Sequence, residues 1–318
     1  MEWNMMNIHS RLSRLVGTLI VLVLLSSFLG AAALLTHEQK NPEQVQVGLY
    51  LLNMGKFDVA TGSFTADFYL SLKCEKNCSE PKFEFMNGRA ATIDTEIDES
   101  NEKFYRIQAN LNSPVDLKKF PFDSQKVQII LEDKQKTIAD LAYVPLIAES
   151  GIDKSIIFTG WNIDGWRAEV VNHEYPIYGE TYSQYVFTID ISRIALNSFL
   201  KTFLPIIFIL LIVLASFVID PDKVATRLTM TGSSLVAAVM FHVSISNQIP
   251  PVGYLTFADK FMVLTYFVLL MSFVINILLL ELQERKHHEW IEKIHRRTEF
   301  STLIVVPLLY VLLFIFFL

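Results

Sequence analysis

Between Val45 and Arg193 the apolar residues alternate along the chain. Phe64, Ala66, Phe68, Leu70 and Leu72 fall on one side, with Thr65, Asp67, Tyr69 and Ser71 on the other; Tyr185, Phe187, Ile189 and Ile191 repeat the pattern. A period of two predicts strands buried on one face. Shorter apolar runs at 47–52, 104–111, 127–131 and 166–171 are separated by turn-rich pieces such as Asn87-Gly88 and 149–153. Many short strands at this spacing predict an all-β, immunoglobulin-like antiparallel sandwich over 36–198.

Past residue 198 the period changes. Apolar runs of roughly 20 residues, long enough to cross a bilayer, predict helices at 199–219, 228–246, 261–282 and 300–318. The fold class is therefore a β-sandwich followed by an all-α transmembrane domain of four helices, with a short cytoplasmic link at 283–299. The second run differs from the others because Thr229, Ser233, Val236, Met240, Val243 and Asn247 recur at steps of three and four and so share one helical stripe. A span facing lipid all round has no use for Thr229, Ser233, Ser234, Ser244 and Ser246, whereas a stripe facing water does. Helix packing through small hydroxyl residues is the other reading. His242 lies off this stripe, which predicts a contact with a neighbouring helix. An ionisable group inside a membrane helix is a functional candidate, and proton sensing by His242 or by the exported carboxylates fits a side chain that titrates near neutral pH.

Residues 1–35 read in the order basic, apolar, small: Arg11 and Arg14, then 15–29, then Gly30 and Ala31 to Ala33. That order predicts a cleaved signal peptide, with an uncleaved anchor as the alternative. Either sends 36–198 out of the cell, to the extracellular or periplasmic side. Arg285, Lys286, Lys293, Arg296 and Arg297 crowd the last link, and Lys223 and Arg227 flank the first. The positive-inside rule puts both links in the cytoplasm, giving a multi-pass protein of the plasma membrane whose constant partner is the lipid bilayer.

Composition narrows the function classes. The chain is 52% hydrophobic with charged segments between its apolar runs, so it is part membrane and part soluble. A formal charge of −6 argues against nucleic acid as a partner, since phosphate binding needs a basic surface. Cys74 and Cys78 sit in the exported part, where oxidation is permitted, and read either as a small bridged loop or as two free thiols. Asn77-Cys78-Ser79 fits a glycosylation acceptor. We find no phosphate-cradling glycine loop and no metal-ligand spacing, and nothing marks Ser124 and His173 as nucleophile and base. His173 reads as a surface loop residue, and His287, His288 and His295 as solvated. The expectation is a protein with no enzymatic activity, no catalytic residue, no cofactor and no metal.

The run Ser113-Pro114-Val115-Asp116-Leu117-Lys118-Lys119-Phe120-Pro121-Phe122-Asp123-Ser124-Gln125 resembles the signature loop of the pentameric ligand-gated ion channels, the Cys-loop receptor superfamily. Ser113 and Val127 stand where the animal receptors have two cysteines, so the loop is similar to the cysteine-free, prokaryotic type. Further similarities follow in order: Phe158-Thr159-Gly160-Trp161 with Asn162-Ile163-Asp164, Ile191-Ser192-Arg193 before the first helix, Pro205 within it, and Asn247-Gln248-Ile249-Pro250 at the outer end of the second.

The resemblance implies five copies around an axis, the second helix of each lining a pore for inorganic ions. Thr229 and Ser233 would then form polar rings near the cytoplasmic end, and Val236, Met240 and Val243 apolar rings able to gate by dewetting, with Asn247 at the outer end. Asp58 and Asp123 align with acidic residues at the membrane-facing end of the family's sandwich, and Arg193 with its junction arginine. Charge pairing there could couple the sandwich to the link carrying Pro250, Pro251 and Tyr254; the alternative is an exposed pair worth about 0–1 kcal/mol. The segment between Cys78 and Asn112 is shorter than in the family and lacks its tryptophan-bearing pocket segment. What remains for a small extracellular ligand is Glu132 and Asp133, where amine-binding relatives carry an acid, with Tyr175, Tyr178 and Tyr182; aromatics with a carboxylate can hold a cation. Protons are the other candidate stimulus. Val224, Ala225 and Thr226 replace the mouth Glu of cation-selective members, while Asp220 and Asp222 further out bias the field toward cations. A non-conducting sensor or adaptor that keeps the architecture, binding a partner through 283–299, is the competing reading.

Overall fold

A computed structural model describes residues 41–76, 78, 82–285 and 288–317. The signal or anchor at 1–35 and the Asn77 and Ser79 positions of the glycosylation triplet lie outside the described residues.

Among the described residues, ten strands form the exported part. They are β1 (Glu43–Met54), β2 (Ser63–Cys74), β3 (Phe83–Phe85), β4 (Gly88–Asp98), β5 (Glu102–Asn112), β6 (Ser124–Asp133), β7 (Leu141–Pro145), β8 (Gly151–Ile152), β9 (Trp161–Tyr175) and β10 (Glu180–Arg193). One sheet runs β4-β5-β2-β1-β7 with β8 also on β1, and the other runs β3-β6-β10-β9. Pairing is antiparallel except where β7 and β8 lie parallel to β1. The alternation read from the sequence decides which faces meet. Phe64, Ala66, Phe68, Leu70 and Leu72 of β2 pack in one core with Tyr185, Phe187, Ile189 and Ile191 of β10, and each fully buried Leu, Ile or Phe among them contributes about 1.5–3 kcal/mol. Cys74 and Cys78 are joined as a disulfide at the end of β2. His173 departs from expectation: it lies within β9 and not in a loop.

On the outer face of the first sheet, Lys73 contacts Glu149 and lies 3.3 Å from Glu102, while Ser71 Oγ donates to Glu149 at 2.7 Å. Partial burial pushes the Glu149 carboxyl up, but the hydrogen bonds from Lys73 and Ser71 outweigh it and hold the group below its ordinary value. Hydrogen bonding to Glu149 in turn raises Lys73. A depressed carboxylate stabilises the fold above its ordinary pKa, about 4.3, and loses that contribution as pH falls through the folded value; a raised lysine stabilises below about 10.4. The cluster thus stabilises across the neutral range, by about 1 kcal/mol or less because both side chains are roughly one-third exposed. Glu149→Gln is expected to lower the melting temperature slightly at pH 7, with the gap narrowing as the pH falls below about 4.3. A gap that does not shrink as the pH falls would contradict this assignment.

Four helices follow: α1 (Ala195–Val218), α2 (Val224–Ser246), α3 (Phe257–Glu284) and α4 (His288–Phe317). All four are long and apolar enough to cross a membrane. Each begins before its apolar run. The largest difference is α4, which starts at His288 where the hydropathy pattern suggested 300, so most of the expected link at 283–299 is helix. Glu, Lys and Arg are good helix formers, and a pattern of apolar residues alone does not register them. The start of α3 is fixed by a reciprocal cap: Asp259 N–H donates to Thr256 Oγ1 and Thr256 N–H to Asp259 Oδ2.

Candidate functional site

Along α2 two faces separate. Arg227, Thr231, Ser234, Ala238 and Ile245 are buried within the chain. Thr229, Ser233, Val236, Met240, Val243 and Asn247 are all exposed, Val236 at 64% and Met240 at 68%. The helix is also the least apolar of the four. Thr229 Oγ1 donates to the Ala225 carbonyl at 2.9 Å and Thr231 Oγ1 to that of Arg227 at 3.0 Å, so these hydroxyls cost the helix no unpaired donor.

His242 makes the neighbouring-helix contact its position predicts. Its Nδ1 is 2.9 Å from the Tyr266 hydroxyl and its Nε2 3.2 Å from Asp259 Oδ1, tying α2 to α3. Neither partner was singled out from sequence, although Thr256-x-x-Asp259 carries a legible capping signal. Arg227, read as a residue flanking the first cytoplasmic link, is instead fully buried, its guanidinium 5.2 Å from the Phe217 ring centroid.

At the junction of sandwich and helices the expected pair forms. Arg193 Nε donates to Asp123 Oδ1 at 2.6 Å, and the Arg193 N–H donates to the Asp123 carbonyl at 3.2 Å. The Asp123 side chain is 1% exposed, so the exposed-pair alternative does not describe it. Gln125 Nε2 donates to its other oxygen at 2.7 Å. The guanidinium lies 4.5 Å from Trp161 and 5.1 Å from Phe120, between two ring faces that attract a cation.

Asp58 is not part of this group. Its carboxylate accepts from the Ala60 N–H and the Thr61 hydroxyl, both at 2.9 Å, which hold it below the usual carboxylate range in its own turn. Tyr254 instead joins the signature loop beside it, its hydroxyl accepting from the Leu117 N–H at 2.9 Å. Pro250 sits half-buried nearby in the chain.

The signature loop also completes α3. Phe257 N–H donates to the Lys118 carbonyl at 2.9 Å and Ala258 N–H to the Phe120 carbonyl at 3.0 Å. These are first-turn amides with no partner inside their own helix. Phe122 stacks on Phe203 of α1 at 5.8 Å and meets Phe257 at 6.0 Å and Phe314 of α4 at 6.3 Å. One loop thus touches three of the four helices.

The candidate ligand residues gather at the far end of the β9–β10 hairpin. Glu132, 3% exposed, accepts from Tyr175 at 3.0 Å and Gln184 Nε2 at 2.8 Å and lies 2.9 Å from His173 Nδ1. Burial and the bond to Glu132 push the Tyr175 phenol up to about 12. Tyr175 meets Tyr182 edge to face at 5.5 Å and Tyr178 at 6.5 Å. Tyr178 is exposed and Tyr182 donates to Glu180 at 2.9 Å. Asp133 turns away, its Oδ1 accepting from the Gln135 and Lys136 amides at 2.9 and 2.8 Å. Glu132 therefore organises the hairpin base. Glu132→Ala leaves two donors, the Tyr175 hydroxyl and Gln184 Nε2, without their acceptor, at about 1–3 kcal/mol for each one that stays buried, and a clear fall in melting temperature is expected. A variant melting like wild type would deny Glu132 this role.

No family model matches the chain. It is 23% identical over 251 residues to a proton-gated ion channel of Gloeobacter violaceus, covering 71% of this chain and 69% of that protein. It is 30% identical over 173 residues to pH-sensitive chloride channel 2 of Drosophila melanogaster, covering 51% of this chain and 33% of that one. It is 26% identical over 186 residues to human 5-hydroxytryptamine receptor 3B, covering 57% and 41%. With the sandwich, the buried junction pair and the four helices, these similarities ally the chain with the pentameric ligand-gated ion channels, and its own counterpart of their signature loop carries no cysteine pair.

Proposed function

We propose that the chain is the subunit of a homopentameric channel whose pore is lined by Thr229, Ser233, Val236, Met240, Val243 and Asn247. The observation that supports this reading is the division of α2, whose stripe of mixed polar and apolar residues stays exposed while its opposite face is buried against the rest of the chain. Five copies that turn these stripes inward give water a polar path at Thr229 and Ser233 and deny it one at Val236, Met240 and Val243. The stimulus is an extracellular proton or small ligand. Two relatives are named for proton or pH responses, and the described residues include two histidine–carboxylate pairs, His173 with Glu132 and His242 with Asp259. Histidine is the side chain that changes charge between about pH 5 and 8. Asp123 and Arg193, with Pro250 and Tyr254, carry the path from sandwich to pore, while the Asp58 carboxylate is occupied in its own turn. Cations are the proposed permeant ions, on the strength of Asp220 and Asp222 at the cytoplasmic end.

Reconstitution of the full chain in planar bilayers, with acid steps and a panel of amines and carboxylates, tests the reading. Current under one of these stimuli, with a reversal potential that follows the cation gradient, and a five-fold ring by cross-linking are the expected results. A monomer or dimer that passes no current under any stimulus would favour the non-conducting sensor.

A further inference from the structure

Between the signature loop and the top of α1 lies a cavity of about 240 Å3, lined among others by Arg193, Asn197, Ser198, Lys201, Thr202 and Gln248. Its chemistry is one-sided. Two cationic side chains face it and no carboxylate lines it. Asp123 neutralises Arg193, but Lys201 is exposed and has no ion pair among the described residues.

The first turn of α1 adds to the positive field. Its N-cap is Ile194, which offers no side-chain acceptor, so the amides of that turn keep the partial positive charge of a helix N-terminus, equivalent to roughly half a unit charge. Thr202, only 5% exposed, lines the same cavity, and its hydroxyl has no hydrogen-bond partner among the described residues. The hydroxyl is open to the cavity and free to donate to an acceptor brought into it. Asn197, Ser198 and Gln248 supply further donors around the wall.

We propose that this cavity binds a compact oxyanion, a carboxylate or phosphate group. Lys201 supplies the charge, Thr202 and the Asn197 and Gln248 amides the hydrogen bonds, and the α1 N-terminus the orienting field. The volume suits such a group with a few waters and falls below the roughly 300 Å3 at which drug-sized pockets begin. Because Phe120 and Pro121 of the signature loop and Gln248 at the end of α2 share the wall, an occupant would bridge the sandwich, α1 and the outer end of α2. The cavity lies at the outer end of α1, so the group can arrive dissolved in water or on the headgroup of an outer-leaflet lipid.

Binding is measured on the full chain in a phosphate-free maltoside detergent, titrated in one arm with inorganic phosphate and in the other with solubilised phosphatidylglycerol. The readouts are Trp fluorescence, to which Trp161 beside Arg193 contributes, and the mass of the intact complex. Saturable binding in either arm is expected, with Lys201→Ala weakening it about tenfold or more, Lys201→Arg retaining it and Thr202→Val giving an intermediate loss. Phosphate binding assigns a dissolved anion, and binding of the lipid alone assigns a headgroup; both support the site. If neither probe binds, or Lys201→Ala binds as wild type does, the proposal is overturned. The second outcome includes the case in which a side chain of a neighbouring copy fills the cavity. The readout involves no conduction, so its failure leaves the channel reading standing.

Discussion

Val236→Ser is expected to raise the resting current and to shift activation toward weaker stimuli by about tenfold or more. Val236 stands midway along the exposed stripe of α2, with Met240 and Val243 above it and Ser233 and Thr229 below. In a five-fold ring its isopropyl groups meet around the axis, where water finds no hydrogen-bond partners and withdraws. Moving a two-state equilibrium from 1:99 to 99:1 takes about 5.5 kcal/mol. Divided over five copies this is about 1.1 kcal/mol each, near the roughly 0.8 kcal/mol that water exacts per methylene. A hydroxyl in place of each isopropyl supplies an effect of that size. Ala238→Ser places the same hydroxyl on the buried face, where it can bond the carbonyl one turn back, and is expected to leave resting current close to wild type. Current recordings of both variants at matched surface expression make the comparison. If the two behave alike, the constriction is not at Val236.

The parts of this molecule legible in the sequence are those with a short period. Alternation over Phe64 to Leu72 and Tyr185 to Ile191 identified β2 and β10 and their buried faces, because a strand buried on one side must alternate. Steps of three and four identified the stripe of α2. β4 escaped because it is exposed on both faces at a sheet edge, Ile93 and Ile97 included, and those two are its only large apolar residues. The first turns of α4 escaped for a similar reason, since their helix is built from charged residues.

Sites assembled from distant segments were legible only through resemblance. Asp123 and Arg193 lie 70 positions apart, and no local pattern predicts their contact. Glu132, His173 and Gln184 meet because register across β6, β10 and β9 sets Gln184 opposite Glu132 and Tyr182 opposite His173. Turn chemistry explains why Asp58 differs from Asp123 although both looked alike in sequence. An Asp two and three residues ahead of a free amide and hydroxyl bonds its own turn first, whereas Asp123 has Arg193 delivered to it by the β6–β10 pairing, which sets Ser124 opposite Ser192.

Breaking the Asp123–Arg193 pair is expected to have the other large effect, and a double variant separates its two possible roles. Arg193→Gln leaves a carboxylate that is 1% exposed without its cation; Asp123→Asn leaves a guanidinium clamped between Trp161 and Phe120 without its anion. Removing one partner of a buried pair costs about 3–5 kcal/mol, while removing both costs much less because no charge is left uncompensated. Both single variants should therefore melt well below wild type, and Asp123→Asn with Arg193→Gln should recover most of the loss, a non-additivity that a double-mutant cycle measures directly. Arg193→Lys keeps the charge but not the planar stacking between two rings, and should fall between. Gating supplies the discriminating readout. A pair that only holds the junction together would regain both stability and response in the double variant. A pair that transmits movement from β10 through the signature loop to the first turn of α3 should regain stability alone, leaving a well-folded channel that no longer answers its stimulus.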